Sequence, residues 1–577
     1  MINLVYGIKP QFAEGYFVDE YGCICQSGTN KKVANFNISI LGWRRVHEEP
    51  VKVTMHVIFS VAFWHDGKLQ HSNDTIETTS FYCLPHYLAC NYPGCFIYKE
   101  SAFKDYISLL YRAAGSLLPV EDSYFYSGWD YIDGRMQYLS ASRVGCKTDI
   151  YVPCGLWERC DIWNYGLDLL KLGNDGQFNP MMPLLVYLLA AYAAKPLEDA
   201  GIPLRCALCV IGESGSLKTA VCSLLAEPFG THESLTLRDS MAAIMRSLGK
   251  AKDRVIFLDD IYRQAPELLE KAEAVVRAYG DGQVRAVADV TNQQNILRAE
   301  VRGGCIITGE KRLNLQRSSA LRLLEIDIQS DSFSQVVLTS LQQEVSAARM
   351  SGQPSRVAQF FGAWIDFVEQ HYEYVIQVAN DFPFAMEKYI TDRRLLMVFH
   401  QLAIIAKVFF DWGLSIGAIS QKEAEFFLQA FFDAIHRVVS YNQLLALIAE
   451  PWILFMKIFT LACHDKSLPI ANTRKEYLST SNNYAGFFEK EKDRLVMNPK
   501  KTVAIFYKYL SDNNILIGNV RPGEIWQMLC EHGICLGYSS QQNGDGKERE
   551  RYLQKIFLKG KQEEMAVFRV SEMEKYL

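Results

Sequence analysis

The chain has 577 residues, of which 49% are hydrophobic and 22% are charged, and this length and composition indicate a globular protein of several domains. Its formal net charge of −5 argues against bulk electrostatic attraction to nucleic acid, so any DNA contact must depend on local basic patches. The N-terminus lacks a basic region and a cleavage site, and the apolar stretch from Met181 to Ala194 is too short for a bilayer, so we expect a cytoplasmic protein without membrane contact.

The first two parts of the chain are rich in strand patterns. Residues 1–115 carry short β-like segments followed by a helical stretch from Ala102, and residues 116–178 carry aromatic-rich hairpin signals around Ser127-Gly-Trp129 and Asp133-Gly134. Fifteen cysteines are scattered without a repeated pair, as in a reduced core. The set that suggests zinc is Cys23, Cys25, Cys83, His86, Cys90 and Cys95. We do not expect zinc, because a Cys-x-Cys pair lacks the turn that closes a zinc knuckle.

The segment from Cys206 to Thr219 has the pattern of a phosphate-binding loop. An apolar run, Leu208–Ile211, leads into a Gly- and Ser-rich turn, and an apolar helical segment follows. In such a loop, backbone N–H groups and a helix N-terminus surround a polyphosphate. The predicted nucleotide-binding residues are Gly212, Glu213, Ser214, Gly215, Ser216, Leu217, Lys218 and Thr219. Lys218 would neutralise the β and γ oxygens of ATP, and the Thr219 hydroxyl would hold Mg²⁺.

One position departs from the usual loop pattern. Leu217 stands where the last glycine before the lysine is expected. We expect its φ to be negative, with its side chain directed away from the phosphates, because a left-handed conformation is costly for leucine.

A second run, Arg254-Val-Ile-Phe-Leu-Asp-Asp260, predicts a strand that ends in two carboxylates. At the carboxyl edge of a parallel sheet these acids would lie beside the phosphate loop. We assign Asp259 to Mg²⁺ and Asp260 to polarising the attacking water, a role more often filled by glutamate.

A third strand is predicted from Gly304 to Glu310. Thr308 could hydrogen-bond the γ-phosphate or the lytic water. Downstream, Arg322 and, less strongly, Arg317 are candidates for an arginine that reaches a γ-phosphate in its own subunit or in a neighbour.

The remaining chain divides into two further parts. After a nucleotide core at residues 179–329, residues 330–465 show 3.6-residue apolar periodicity, which predicts a helical bundle acting as a lid. Residues 466–577 follow a strand, helix, helix, strand, strand order that fits a winged helix.

Two basic patches are candidate DNA contacts. The first lies between the diacid strand and the Thr308 strand and comprises Arg277, Arg285, Arg298 and Arg302. The second comprises Lys547, Arg549, Arg551, Lys555, Lys559 and Lys561, interleaved with Glu548 and Glu550. A solvated surface is the alternative for the second patch.

The motifs together resemble a known group. The signatures are Val33–Ile40, Ser127–Trp129, Gly212–Thr219, Phe257–Asp260 and Ile307–Glu310, and they resemble those of bacterial mobile-element P-loop proteins. That group is catalogued as a domain of unknown function with a helicase interpretation, and it is similar to MCM-like and superfamily 3 replicative helicases. The resemblance implies a homo-hexameric ring that translocates on DNA, and it places Lys218, Thr219, Asp259, Asp260 and Thr308 in the nucleotide site.

We therefore expect an α/β P-loop NTPase core of the AAA+ type, flanked by the β-rich, helical and winged-helix-like parts. Three functions remain open. The favoured one is an ATP-driven DNA motor, the second is a nucleotide-gated regulatory or defence switch, and the third is a small-molecule kinase. The third is disfavoured because about 200 residues precede the phosphate loop.

Overall fold

The computed structural model of the chain describes residues 13–49, 52–65, 68–115, 117–174, 178–230, 235–261, 266–284, 287–288, 296–297, 300–313, 315–383, 390–448, 450–479, 483–512, 521–542 and 548–573. Within these ranges some side chains lie outside the description, among them those of Asp260, Arg549 and Arg551.

The N-terminal part is built on antiparallel strands. Its elements are β1 (Tyr16–Val18), β2 (Ile24–Gln26), β3 (Lys31–Ala34), β4 (Phe36–Glu49), β5 (Lys52–His65), β6 (Lys68–Glu77), α1 (Leu84–Asn91), α2 (Glu100–Ala114), β7 (Val120–Tyr124), β8 (Gly128–Ile132) and β9 (Arg135–Leu139). The sheets have the orders β1-β2-β3 and β6-β5-β4-β7, and β8 and β9 form a separate hairpin. Alternate residues of β4, Phe36, Ile38 and Ile40, are buried, and α2 packs Phe103 and Tyr106 into the same core.

The central part is an α/β layer. Its elements are α3 (Cys160–Asp168), α4 (Met181–Tyr192), α5 (Ala194–Asp199), β10 (Ala207–Ile211), α6 (Lys218–Ala226), β11 (Leu235–Thr236), α7 (Met241–Lys250), β12 (Arg254–Ile261), α8 (Pro266–Asp281), β13 (Val287–Ala288), β14 (Ile296–Leu297), β15 (Gly303–Gly309), α9 (Arg317–Ala320) and β16 (Leu323–Asp327). The predicted parallel sheet is present, in the order β11-β12-β15-β10-β16. Every residue of β10 and β15 is buried, as helices on both faces of a parallel sheet require.

The C-terminal half begins with a helical bundle and ends in a mixed α/β unit. The bundle comprises α10 (Gln335–Ser351), α11 (Arg356–Gln370), α12 (Tyr372–Asp381), α13 (Arg393–Ser415), α14 (Gln421–Ile448) and α15 (Pro451–His464). The last unit comprises β17 (Ile470–Ala471), α16 (Arg474–Ser479), β18 (Gly486–Glu489), β19 (Arg494–Met497), α17 (Pro499–Asp512), α18 (Pro522–Glu531), β20 (Tyr538–Gln542), β21 (Glu548–Arg551), β22 (Gln554–Leu558), β23 (Lys561–Arg569) and α19 (Val570–Met573).

Buried tryptophans join the bundle to the rest of the chain. The indole N–H of Trp364 donates to Leu189 O at 2.9 Å, and that of Trp163 donates to Phe409 O at 3.0 Å. Each large apolar ring is thus buried with its one polar group satisfied. Helix α13 is long and apolar enough to cross a membrane, but 78% of its most apolar window is buried inside the protein. Its apolar surface is therefore used for packing within the bundle.

In the last unit, β19, β23 and β22 lie side by side in the sheet order β17-β18-β19-β23-β22. Helices α17 and α18 lie between β19 and β22 in the chain, and they bury Phe506 and Trp526 against β23. Two helices thus cover a sheet whose last two strands form an antiparallel hairpin.

A buried ion cluster attaches the β8–β9 hairpin to the central sheet. Arg302 Nε donates to Asp253 Oδ1 at 2.5 Å and its Nη2 donates to Asp253 Oδ2 at 2.8 Å, while Trp129 N donates to Asp253 Oδ2 at 2.8 Å. The side chain of Asp253 is fully buried and that of Arg302 is 6% exposed. The prediction that Arg302 belongs to a DNA-contacting patch is therefore wrong, because its guanidinium is buried and paired with the Asp253 carboxylate.

The close approach of Gly128 to Asp253 can be tested with a matched pair of alanine variants. A Cβ at Gly128 (φ 110°) would lie 2.7 Å from both Asp253 Oδ2 and Lys252 O, whereas one at Gly134 (φ 83°) would meet nothing within 4 Å. Both changes strain the backbone, and Gly128→Ala also creates a clash. We expect Gly128→Ala to lower the free energy of unfolding by about 1–3 kcal/mol more than Gly134→Ala in denaturant titrations. Equal losses would contradict this packing.

Candidate nucleotide-binding site

The predicted phosphate loop, residues 212–219, lies between β10 and α6. Ser216 N donates to Glu213 O at 3.2 Å, which closes the turn, and Val221 N donates to Leu217 O at 3.0 Å in the first turn of the helix. Gly212 must be glycine, because a Cβ there would lie 2.9 Å from Ile328 O. The loop therefore begins where the backbone presses against the residue that follows β16.

Leu217 adopts the left-handed conformation, with φ 64° and ψ 3°. The expectation of a negative φ at this position is wrong. The turn that leads into α6 requires the left-handed conformation, which glycine adopts freely and leucine adopts at a cost of about 1–2 kcal/mol. The side chain packs at the edge of the central hydrophobic core, and this contact offsets part of that cost.

Lys218 is 8% exposed, and its Nζ donates to Glu213 O at 3.2 Å, so the ammonium group lies over the loop. The Ser216 hydroxyl is fully buried and has no hydrogen-bond partner among the described residues. A buried hydroxyl without a partner is costly, and here it lies in a loop beside an ammonium group. These groups fit the oxygen atoms of a bound polyphosphate.

The Asp259 carboxylate accepts hydrogen bonds from two threonine hydroxyls, those of Thr219 and Thr308. Thr219 Oγ1 donates to Asp259 Oδ1 at 3.0 Å, and Thr308 Oγ1 donates to the same oxygen at 2.6 Å. The sheet order explains this convergence, because β15 lies between β10 and β12 and carries Thr308 to the same edge. A carboxylate and a hydroxyl oxygen at this edge are ligands suited to Mg²⁺. The side chain of Asp260, the predicted base, lies outside the described residues.

Arg322 lies at the end of the sheet where the parallel strands begin, whereas the predicted phosphate loop follows the carboxyl end of β10. Its carbonyl accepts from Ala207 N at 2.9 Å, at the start of β10, and the five residues of β10 span about 16 Å before the loop begins. Its guanidinium donates to Asp281 Oδ1 at 2.7 Å. Arg322 therefore lies away from the predicted phosphate loop of its own chain, and its role as an arginine that reaches a γ-phosphate stays a prediction.

Arg317, the second arginine candidate, begins α9. Its Nε is buried without a hydrogen-bond partner among the described residues. It lines a cavity of about 70 Å³ with residues of the bundle helices, among them Asp392 and Lys457.

Sequence reasoning missed Arg312, an arginine that follows β15 on the side of the sheet that carries the predicted phosphate loop. Its Nε donates to Glu325 Oε1 at 2.7 Å, and its guanidinium lies 5.0 Å from the Tyr441 ring of α14. Burial raises the pKa of the Glu325 carboxyl to about 7, although Arg312 opposes that rise. The side-chain amide of Asn442 accepts from Glu325 N and donates to Glu325 O, both at 2.8 Å. These two hydrogen bonds connect β16 to α14. Arg312 follows Thr308 by four residues, and that proximity was the signal available in the sequence.

The two predicted DNA patches are only partly described. Arg277 donates to Glu273 Oε1 at 2.8 Å and to Ser319 Oγ at 3.1 Å, so its charge is engaged within the chain, as that of Arg302 is. The side chains that lie outside the described residues are those of Arg285, Arg298, Lys547, Arg549 and Arg551. The described lysines of the second patch, Lys555, Lys559 and Lys561, lie on or beside the β22–β23 hairpin.

The cysteines of the suggested zinc set do not form a ligand cluster. In the part of the chain that the structure describes, no group of three or more His, Cys, Asp or Glu side chains could hold a metal ion. Burial raises the pKa of the Cys23 and Cys25 thiols, which disfavours the thiolate form that zinc requires.

Comparison with known proteins gives one informative result. No family model matches the chain, and no curated protein matches it. Among solved structures the chain is similar to one described as "SCCmec type IV Cch - active helicase", with a TM-score of 0.53 and 13% identity over 97% of this chain and 98% of that one. At this identity the similarity shows a shared fold, and it extends over all parts of the chain. The comparison supports a helicase-like fold, and it does not test the resemblance to MCM-like helicases that was drawn from the motifs.

The left-handed conformation of Leu217 predicts that a glycine variant at this position is more stable than an alanine variant. Leu217→Ala and Leu217→Gly remove the same packing, but only alanine keeps a Cβ at φ 64°. We expect Leu217→Gly to be more stable than Leu217→Ala by about 1 kcal/mol in denaturant titrations. At positions with negative φ the order is the reverse, so a more stable alanine variant would contradict the observed conformation.

The raised pKa of Glu325 predicts a pH dependence. Because its pKa in the folded state, about 7, lies above the ordinary value of 4.5, its contribution to stability is complete below pH 4.5 and is lost as the pH rises through 7. Between pH 5 and 7 we expect the unfolding free energy of the unaltered protein to fall more steeply than that of Glu325→Gln, by about 1 kcal/mol per pH unit. The exposed Glu373→Gln variant is the control, and identical slopes in all three proteins would refute the assignment.

Proposed function

We propose that the protein is an ATP-dependent DNA motor of the helicase type that hydrolyses ATP at the phosphate loop. The observation that carries the proposal is the convergence of Thr219 and Thr308 on one oxygen of Asp259, beside Lys218. Three separated segments meet at the carboxyl edge of a parallel sheet, which is where nucleotides bind in such sheets. The fold shared with a helicase structure supports the choice of motor.

In this proposal each residue has a defined task. The backbone N–H groups of residues 212–219 and the Lys218 ammonium hold the phosphates of ATP, and Thr219 and Asp259 hold Mg²⁺. Held by Thr219 and Asp259, Mg²⁺ would neutralise charge that develops on the transferred phosphoryl group. Asp260 orients and polarises the attacking water, and Thr308 donates a hydrogen bond to that water or to the γ-phosphate.

We propose a ring of subunits, and the position of Arg322 supports it. Because Arg322 lies about 16 Å of strand away from its own loop, it can reach a γ-phosphate only in a neighbouring subunit. Arg317 is the other candidate for this contact. We therefore propose a homo-hexamer of AAA+-type cores in which the arginine of one subunit completes the site of the next.

The C-terminal unit supplies a candidate DNA contact. Helices α17 and α18 between β19 and the β22–β23 hairpin have the order of a winged helix, in which the second helix and the hairpin face the nucleic acid. We propose that this unit and the bundle respond to the nucleotide state of the core, and that the protein acts in replication of a mobile element.

The first test is the ATPase rate of the purified protein with and without single-stranded DNA. We expect severalfold stimulation by DNA, and about a 100-fold or greater loss of activity in Lys218→Ala, because removal of the ammonium leaves the phosphate charge uncompensated. The exposed Lys422→Ala variant, on α14, is the control for loss of a lysine.

Two outcomes would change the proposal. Normal turnover in Lys218→Ala would refute the site. A rate that depends on Lys218 but ignores DNA would favour the nucleotide-gated switch over the motor.

A further inference from the structure

Several aromatic side chains around β3, outside the central α/β layer, are exposed. Tyr21, Trp64, Phe96 and Tyr98 are 60%, 48%, 63% and 61% exposed. Large aromatic rings are usually buried, so several in one region of a folded surface indicate an interaction site.

Backbone and side-chain contacts place these four residues beside β3. Residues 96–98 run antiparallel to it, since Ala34 pairs with Ile97 and Tyr98 N donates to Val33 O at 2.8 Å. The ammonium of Lys32, a residue of β3, lies 5.6 Å from the centre of the Tyr21 ring. Trp64 joins the group through Gly22, where an added Cβ would lie 3.9 Å from the Trp64 indole nitrogen.

Positive charge accompanies the rings. Lys31, Lys32 and Lys99 are exposed. The Lys32 ammonium lies 3.7 Å from Asp19 Oδ2, whereas Lys31 and Lys99 have no carboxylate partner among the described residues. Two of the nearby acids are engaged within the chain: Asp19 accepts backbone N–H groups from Tyr21 and Cys23, and Glu100 pairs with Lys104.

Aromatic faces interspersed with lysines match one ligand chemistry closely. Unpaired bases stack on exposed rings, and the phosphates between them pair with ammonium groups. A duplex offers no free base faces, and a protein partner would not require lysines without carboxylate partners around the rings. We propose that this β3 surface, formed by Tyr21, Trp64, Phe96 and Tyr98 with Lys31, Lys32 and Lys99, binds single-stranded DNA. The inference rests on the proposed DNA motor and adds a second contact, outside the ATPase core and the C-terminal unit.

The experiment measures, by fluorescence anisotropy, the binding of a fluorescein-labelled oligothymidylate of twelve nucleotides to the full chain. We expect Phe96→Ala/Tyr98→Ala and Trp64→Ala each to weaken binding by about fivefold or more, because each removes a stacking platform. Phe96→Trp/Tyr98→Phe should retain affinity. The control is Phe426→Ala on α14, which removes a ring that is 71% exposed and distant in sequence.

Two further readouts isolate the chemistry. Lys31→Ala/Lys99→Ala should reduce the slope of log affinity against log salt by about 1.4, since each phosphate contact on a single strand contributes about 0.7. A blunt duplex should bind all aromatic variants and the control equally. Oligothymidylate carrying photoreactive 5-iodouracil should cross-link to one or more of the four aromatic residues.

Aromatic variants that bind single strands as tightly as Phe426→Ala, with no cross-link in residues 13–99, would overturn the proposal. Failure of the motor function gives a different result: DNA would not stimulate the ATPase, while the aromatic variants would still lose affinity. The basal ATPase rate without DNA should be unchanged in every β3-surface variant.

Discussion

The Arg302–Asp253 pair controls the geometry on which the nucleotide site depends. Asp253 immediately precedes β12 and Arg302 immediately precedes β15, and the two strands start in register at Arg254 and Gly303. Burying two charges is expensive, and loss of either partner would leave an uncompensated charge in the interior. The pair also holds Trp129 through Asp253, so one interaction aligns two central strands and attaches the preceding hairpin.

The consequence appears at the other end of the same two strands. Because side chains alternate between the faces of a strand, a shift of one residue between β12 and β15 would turn Asp259 or Thr308 to the wrong face. With the register fixed, both reach the edge that carries the phosphate loop, and Thr219 completes the group. The site is thus assembled by long-range strand pairing and not by any single loop.

From this edge a polar chain leads into the helical bundle. Arg312 contacts Glu325 on β16 and the Tyr441 ring on α14, and Asn442 binds both backbone groups of Glu325. Burial raises the pKa of Glu325, so its charge depends closely on how Arg312 is placed. A change that moves Arg312 would therefore alter contacts of α14 as well as those of β16.

The local sequence determined the elements and the chemistry of the loop. The apolar run before Gly212, the diacid run and the Thr308 strand could all be recognised, because strand periodicity and loop composition are properties of neighbouring residues. The features that depend on contacts between distant segments of the chain were decided by the tertiary structure alone. It buried Arg302 against Asp253, placed Arg322 at the far end of the sheet, and gave Leu217 a left-handed conformation. Strand pairing and the packing of α6 against the sheet depend on segments that are distant in the sequence, so neighbouring residues alone could not show these outcomes.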